Sequence, residues 1–165
     1  MHAPRLPQLP VDEYTTPSPF VVGPETPMTT VLALMQEHGI RHLPVVLGKV
    51  PVGIISDRDV RLLTHMPGLG GVTAGEVMVH EPFTVASGTS LETVVLAMAR
   101  QRIGSSIVTH HGEIVGIFTS TDALNALIEV LRGDAFAEDG AELTLDVATT
   151  PLGRLDLGEG RQDSV

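Results

Sequence analysis

The sequence predicts a mixed α/β (α+β) fold built from two consecutive β-α-β-β-α repeats that pack together as one pseudo-two-fold unit. Shifting the sequence by 63 positions aligns Pro19-Phe20 with Pro82-Phe83, and Val52-Gly53-Ile54 with Val115-Gly116-Ile117, without a gap. A constant offset maintained over about forty residues of each copy indicates an internal duplication. Because a copy of this length buries its apolar faces poorly by itself, we expect the two copies to share one folded unit.

The first repeat shows its elements in a simple order. The apolar run FVV (20–22) predicts a short strand, and PMTTVLALMQEHG (27–39) carries apolar residues at helical spacing. The β-branched runs LPVV (43–46) and VPVGII (50–55), joined by the turn LGK, predict two further strands. The segment DRDVRLLTH (57–65) predicts a closing helix.

The second repeat gives the same signals in the same order. FTV (83–85) predicts a strand, SLETVVLAMARQR (90–102) a helix that begins after a Ser, and SSIV (105–108) and EIVGIF (113–118) two strands around the turn THHG. STDALNALIEVL (120–131) predicts the closing helix.

Domain boundaries follow from where this pattern begins and ends. We expect a Pro-rich N-terminal extension at 1–13, the first repeat at 14–66, a Gly-rich linker with a short Thr-capped helix at 67–76, the second repeat at 77–132, and an acidic tail at 133–165. The tail has no sustained period and much Gly and Asp, so we expect it to be mobile.

Composition excludes several classes of function. The chain has no Cys, so thiol chemistry is not expected. Its Pro-rich start lacks the hydrophobic centre of a signal peptide, and no apolar run approaches the roughly 18 residues that a membrane span needs. We therefore expect a cytoplasmic protein without membrane contact. The net charge is −10, of which residues 128–165 contribute −6. Because basic stripes and aromatic residues are scarce, nucleic-acid binding is not expected.

A heptad with Gly first, a hydroxyl residue fourth and Asp seventh occurs in both repeats, at Gly53–Asp59 and Gly116–Asp122. Ser56 and Thr119 stand where a strand gives way to a helix, a preferred place for a helix cap, and Gly inside a strand marks a bulge or the close approach of another group. The same residue types also suit a nucleotide, since Asp can accept ribose hydroxyls and Arg58 can bind a phosphate. The residues alone leave both interpretations open.

The run HGIRHLPVV…GKVPVGIISDRDVRLL, followed one period later by RIGSSIVTHHGEIVGIFTSTDALNAL, resembles a tandem pair of cystathionine β-synthase-type (CBS) domains, the Bateman module. The openings YTTPSPFVV and VMVHEPFTV are similar to the usual repeat start of that family. The resemblance covers about residues 14–130 and is closest in type to small stand-alone bacterial proteins.

This resemblance implies a regulatory module that binds AMP, ADP, ATP or another adenosyl compound in clefts between the repeats, with no required cofactor. It implies that Asp59 and Asp122 hold ribose and that Ser56 and Thr119 lie near phosphate. The other implied ligand-binding residues are Thr16, Arg41, His42, Pro44 and Arg58 in the first copy and Ser105, Ile107 and Thr121 in the second.

The two copies differ in their basic residues. The second has Gly104-Ser105 where the first has Arg41-His42, and Thr121 where the first has Arg58. We therefore expect the first copy to bind phosphate more strongly.

Catalysis and metal binding are not expected. No nucleophile with a base, and no convergent pair of carboxylates, can be placed, and the His residues lack the spacing of metal ligands. The helical segments carry enough apolar surface to predict a homodimer, and a regulated partner protein would fit a sensor. The alternative is a dimeric structural or protein-interaction scaffold with vestigial nucleotide sites, in which the heptads survive as helix caps.

Overall fold

The fold follows the duplicated pattern closely. The structure is a computed structural model that describes residues 9–63, 68 and 71–139. Its elements are, in order, a 3-10 helix Val11–Tyr14, β1 Thr16–Pro17, α1 Met28–Glu37, β2 His42–Leu47, β3 Val50–Ser56, α2 Asp57–Leu63, α3 Ala74–Val77, β4 Val79–His80, β5 Thr84–Ala86, α4 Leu91–Gln101, β6 Ser105–His110, β7 Glu113–Thr119 and α5 Ser120–Asp139. The mixed α/β class and the two repeats are confirmed.

The first helix of each repeat buries the same positions. In α1 the side chains of Val31 and Met35 are buried, and in α4 their counterparts Val94 and Met98 are buried. The spacing of four residues places each pair on one helical face, which packs on the strands of its own repeat.

The predicted strand at 20–22 is reduced to a single bridge between Val22 and Val45. Its counterpart, β5, pairs in parallel with β6 over three residues, and the Ser87 amide that follows donates to Thr109 O at 2.8 Å. At the position equivalent to Ser87 the first repeat has Pro24, which has no N–H to donate. The pairing therefore ends early in the first repeat.

Each repeat gives its opening strand to the sheet of the other repeat. A four-stranded sheet has the order β1-β7-β6-β5 and a three-stranded sheet the order β2-β3-β4. β1 pairs with β7, where Thr16 faces Ile117, and β4 pairs with β3, where Val79 faces Ile54. The exchange is reciprocal, so neither sheet is complete without the other repeat.

This exchange explains the glycine that begins each heptad. A Cβ at Gly53 would collide with the Met78 side chain, and a Cβ at Gly116 would collide with the methyl group of Thr15. Met78 and Thr15 each come directly before an exchanged strand, and they lie at equivalent positions of the two repeats. The close approach expected at these glycines is that of the other repeat's chain.

Two hydrophobic clusters form the core, one for each repeat. The first is centred on Leu43, Val45 and Ile55, and the second on Val108 and Phe118. Where the first repeat has Leu43, the second has Ser106, whose side chain is fully buried. Within the described part of the chain, Ser106 Oγ has no hydrogen-bond partner.

The segment before the first repeat is part of the folded structure from residue 9 onward. Val11 is fully buried in the second cluster, and its N–H donates to Thr89 O at 2.8 Å. The carboxylate of Asp12 accepts from the Ser87 hydroxyl at 2.7 Å and from the Gly88 N–H at 2.6 Å. The boundary drawn at residue 13 thus does not coincide with the edge of the folded unit.

The C-terminal boundary differs in a similar way. α5 continues to Asp139, seven residues beyond the expected end of the second repeat at 132. The chain divides into two compact units, Met1–Val130 and Leu131–Val165, and the contacts discussed below lie within the first. Most of the expected mobile tail, from residue 140 onward, lies outside the described residues.

Candidate ligand-binding cleft

Both repeats line one open cleft of about 1430 Å³. Ten of the twelve residues expected to bind a ligand line it: Thr16, Arg41, His42, Ser56, Arg58, Asp59, Ser105, Thr119, Thr121 and Asp122. We call Ser56, Arg58 and Asp59 the first half-site, and Thr119, Thr121 and Asp122 the second half-site. The duplicated heptads thus contribute to a shared cavity.

Pro44 and Ile107 lie elsewhere. They occupy equivalent positions in β2 and β6, and their side chains are fully buried. Neither lines the cleft, so neither side chain offers a surface to a ligand there.

The heptad Asp of each half-site lies in the first turn of a helix and takes part in capping it, by accepting from the hydroxyl residue that precedes the helix. Asp59 Oδ2 accepts from the Ser56 N–H at 3.0 Å and from the Ser56 hydroxyl at 2.6 Å. Asp122 Oδ2 accepts from the Thr119 N–H and from the Thr119 hydroxyl, both at 2.7 Å. The capping interpretation of the heptads therefore has a direct structural basis in both repeats.

Capping occupies only one oxygen of each carboxylate. Among the described residues, the Oδ1 atoms of Asp59 and Asp122 have no hydrogen-bond donor. A carboxylate has lone pairs for about four hydrogen bonds, so each Asp can cap its helix and still accept from a ligand. The hydroxyl protons of Ser56 and Thr119, by contrast, are engaged by these caps.

Two arginine side chains line the cleft without a carboxylate partner in the described part of the chain. Arg41 Nη2 donates to Thr121 Oγ1 at 3.2 Å, and Arg58 makes no ion pair. The nearby carboxylate of Asp57 is instead paired with Arg61, at 2.8 Å. Both cleft guanidinium groups are therefore available to an anion.

His42 lies beside these charges and is half-buried. Burial lowers the pKa of His42 below its ordinary value, the neighbouring Arg41 lowers it further, and Asp59 and Asp57 oppose the shift. The lowered pKa favours the neutral imidazole. The ring packs close to Gly104, and a Cβ added at residue 104 would lie 3.3 Å from His42 Nε2.

The half-sites combine residues from both repeats. Thr16 lies on β1 and pairs with Ile117 of β7, two residues before Thr119, so this first-repeat residue lies near the second half-site. Arg41 reaches the same half-site through Thr121. The grouping of site residues by repeat, which the sequence suggested, is not the grouping in space.

Sequence reasoning missed the aromatic and acidic lining of the cleft. Phe20 and Phe83, at equivalent positions, and Glu81 all line it. Phe20 is about half exposed (49%), and its ring stacks on that of His38 with the centroids 4.1 Å apart. The repeated Pro-Phe pair is the sequence signal for these two rings, but by itself it predicts only the start of a strand.

Other kinds of site are not seen in the part of the chain that the structure describes. No group of three or more His, Asp or Glu side chains there could hold a metal ion. No described helix is both long and apolar enough to cross a membrane.

The fold and cleft define a duplicated α/β module in which two pseudo-symmetric half-sites share one cavity. The family model described as CBS domain matches the chain twice, at residues 11–64 and 74–129, which together exceed half of its length. The chain therefore belongs to the CBS domain family, as a tandem pair.

Relatives of two kinds are similar to this chain. The CBS domain-containing protein YhcV of Bacillus subtilis is 30% identical over 127 residues, which are 76% of this chain and 91% of that protein. Inosine-5′-monophosphate dehydrogenase of Korarchaeum cryptofilum is 33% identical over 104 residues, 62% of this chain. The match spans only 21% of the dehydrogenase, about a fifth of its length.

Solved structures show the same architecture. A candidate acetoin utilization protein, AcuB, from Vibrio cholerae superposes with a TM-score of 0.70 and 25% identity, over 80% of this chain and 99% of that one. CBSX2, a CBS-pair protein of Arabidopsis thaliana, was solved in complex with AMP and gives a TM-score of 0.66 at 25% identity, over 75% of this chain and 99% of that one.

Proposed function

We propose that this CBS pair is a regulatory sensor that binds an adenine nucleotide or a related adenosyl compound in the shared cleft. One observation carries the proposal: among the described residues, Asp59 and Asp122 each keep a carboxylate oxygen that accepts no hydrogen bond, in the same cavity as the guanidinium groups of Arg41 and Arg58, which have no carboxylate partner there. Capping alone does not require two arginines beside the caps.

The chemistry of these groups matches the parts of a nucleotide. A carboxylate oxygen accepts hydrogen bonds from ribose hydroxyls, and a guanidinium binds phosphate through two parallel N–H donors. Phe20 and Phe83 offer flat apolar surface for a purine ring. The neutral imidazole of His42 can donate to or accept from a base or a phosphate without adding charge.

The comparisons support the same assignment. CBSX2 has this fold, is 25% identical, and was solved with AMP. The dehydrogenase relatives align along about a fifth of their length, so their reaction is not carried over. We infer that the protein regulates a partner protein rather than catalysing a reaction, and that it works in the cytoplasm without binding nucleic acid or membrane.

A homodimer is part of this proposal. Leu124, Leu127 and Ile128 are all exposed on α5, and their spacing of three and four residues places them on one face. Leu96 of α4 adds further exposed apolar surface. A second copy of the chain would remove these side chains from water.

A second candidate is a dimeric scaffold with vestigial nucleotide sites. The observation that favours it is the pair of caps, because the bonds from Ser56 to Asp59 and from Thr119 to Asp122 account for both heptads without a ligand. In that case the duplicated motif maintains only the helix starts.

A ligand screen separates the two candidates. We expect AMP, ADP, ATP, S-adenosylmethionine or a cyclic dinucleotide to raise the melting temperature, because a ligand that binds only the folded state stabilises it by about 2.7 kcal/mol at a hundred times its Kd. GMP and cytidine monophosphate serve as controls for the base. If no adenosyl compound raises the melting temperature at millimolar concentration, the scaffold is the better description.

A further inference from the structure

The basic residues of the cleft are unequally distributed along the sequence. In the register of the duplication, Arg41 corresponds to Gly104 and Arg58 to Thr121. Counted by repeat, the first copy has both arginines and the second has neither. A count by repeat therefore predicts that the first half-site binds phosphate more strongly than the second.

The structure distributes the same residues differently, because Arg41 crosses from one repeat to the other. Its backbone is at the first half-site, where Arg41 O accepts from the Asp57 N–H at 2.8 Å. Its side chain is at the second half-site, where Nη2 donates to Thr121 Oγ1 at 3.2 Å. Thr121 directly precedes Asp122, so the guanidinium lies next to the second carboxylate motif.

Gly104, the residue that corresponds to Arg41, has limited room for a side chain. A Cβ at this position would lie 3.3 Å from His42 Nε2 and 3.8 Å from Ser120 Oγ. The first distance is tight, so a side chain at residue 104 would require His42 to shift by a few tenths of an ångström, whereas the second is an ordinary contact. The first half-site instead has its arginine within its own heptad, at Arg58, the position that is Thr121 in the second.

We propose that each half-site has one arginine for phosphate: Arg58 serves the first half-site from its own heptad, and Arg41, contributed by the other repeat, serves the second. Both half-sites then bind a phosphate-bearing adenosyl ligand, so one chain takes two nucleotides. This assignment rests on the proposed function and replaces the expectation that the second half-site binds phosphate poorly.

Double-mutant cycles test the assignment of each arginine. AMP and adenosine are titrated by calorimetry into the wild type, Arg41→Gln and Arg58→Gln, and into the same arginine variants combined with Asp59→Ala or Asp122→Ala. Arg100→Gln is the matched control, because Arg100 is exposed on α4 and does not line the cleft. Melting curves of each variant verify that it is folded.

We expect Arg41→Gln to weaken AMP binding at one of two sites by about ten- to a hundredfold and to leave adenosine unchanged, because adenosine has no phosphate. In the Asp59→Ala background the second half-site is intact, so adding Arg41→Gln should still weaken AMP binding there. In the Asp122→Ala background the first half-site is the one tight site left, and adding Arg41→Gln should not weaken it. Arg58→Gln should show the opposite pattern. Arg41→Lys, which keeps the charge but loses the paired donors, should fall in between.

Three results would overturn the assignment. It is wrong if Arg41→Gln weakens the remaining site in the Asp122→Ala background, or if both arginine variants weaken the same site. It is also wrong if the wild type binds a single AMP with an affinity that Arg41→Gln does not change, although the proposed function would then stand. A wild-type chain that binds neither AMP nor adenosine, and none of the other adenosyl compounds of the ligand screen, would refute the proposed function and this assignment with it.

Discussion

Replacing Asp59 by Ala separates the two roles that this carboxylate has in the structure. The substitution removes the acceptor of two bonds from Ser56, at 3.0 and 2.6 Å, but leaves the bond from the residue-59 N–H to Ser56 Oγ, which is 3.4 Å long. Loss of a complete helix cap costs about 0.5–2 kcal/mol of unfolding free energy, so we expect a cost at the lower end of that range. For a chain of this size we expect the melting temperature to fall by about 2–4 °C per kcal/mol.

The same substitution removes Oδ1, the oxygen that is available to ribose. A hydrogen bond to a charged group contributes about 1.5–3 kcal/mol, so the affinity of the first half-site for AMP should fall by about ten- to a hundredfold. Asp59→Asn is the matched control, because its amide oxygen can still accept from Ser56 while its NH₂ group cannot accept from a ribose hydroxyl. We expect Asp59→Asn to keep most of the stability and to lose the affinity.

The assay is calorimetric titration of AMP and 2′-deoxy-AMP, with melting curves of each variant. The Asp122→Ala background leaves the first half-site as the tighter one, so its affinity can be read separately. There, the preference for AMP over its deoxy form should shrink when Asp59 is replaced. If Asp59→Ala lowers the melting temperature but leaves the AMP affinity unchanged, Asp59 is a cap residue only and the ribose role is refuted.

The other predictions concern the core, the exchanged strand, acid stability and the dimer. Ser106→Ala should raise the unfolding free energy by about 1 kcal/mol or more in urea titrations, because it removes a buried hydroxyl that has no partner among the described residues; a loss of stability would indicate a partner for that hydroxyl. Gly116→Ala should lower the free energy of unfolding by about 1–3 kcal/mol, because its Cβ would collide with the chain exchanged from the first repeat. Gly23→Ala is the control, because a Cβ there would lie in open space. Equal effects of the two substitutions would contradict the close approach at Gly116. Hydrogen bonds from the Gly88 N–H and the Ser87 hydroxyl lower the pKa of Asp12. The ionised carboxylate should therefore make its full contribution to the free energy of unfolding above about pH 4, and this contribution should be lost as the pH falls through the lowered pKa. Asp12→Asn should reduce that acid dependence in pH-resolved urea melts, and an unchanged profile would exclude it as a contributor. Leu127→Glu should convert the expected dimer to a monomer in light scattering, and a monomeric wild type would contradict the dimer itself.

The helices and central strands could be predicted from the sequence because their signals are local. α1 and α4 repeat apolar residues at helical spacing, and β3 and β7 are β-branched runs that end at a turn or a cap. The exchanged strands could not be predicted in this way. β1 and β4 have two residues each, too few to show a period, and their partners lie in the other repeat.

The composition of the cleft was predictable, but its arrangement was not. A heptad motif identifies which residue types meet at a helix start, and so Asp59 and Asp122 were found. It cannot show that a long side chain leaves its own repeat, as Arg41 does when it reaches Thr121. The family resemblance implied Pro44 as a site residue, but a sequence motif does not show depth, and the Pro44 side chain is fully buried.

The glycine, the hydroxyl residue and the Asp of the repeated heptad each have a different structural role. Its glycine, Gly53 or Gly116, admits the strand exchanged from the other repeat, and its hydroxyl residue starts the following helix. Its Asp accepts from that hydroxyl with one oxygen, and the second oxygen has no donor in the part of the chain that the structure describes. Capping and ligand binding are therefore not alternatives for the same atoms. Because the cap fixes the carboxylate through Oδ2, it also orients Oδ1, so a ligand would meet an acceptor that is already positioned and would lose less conformational entropy on binding.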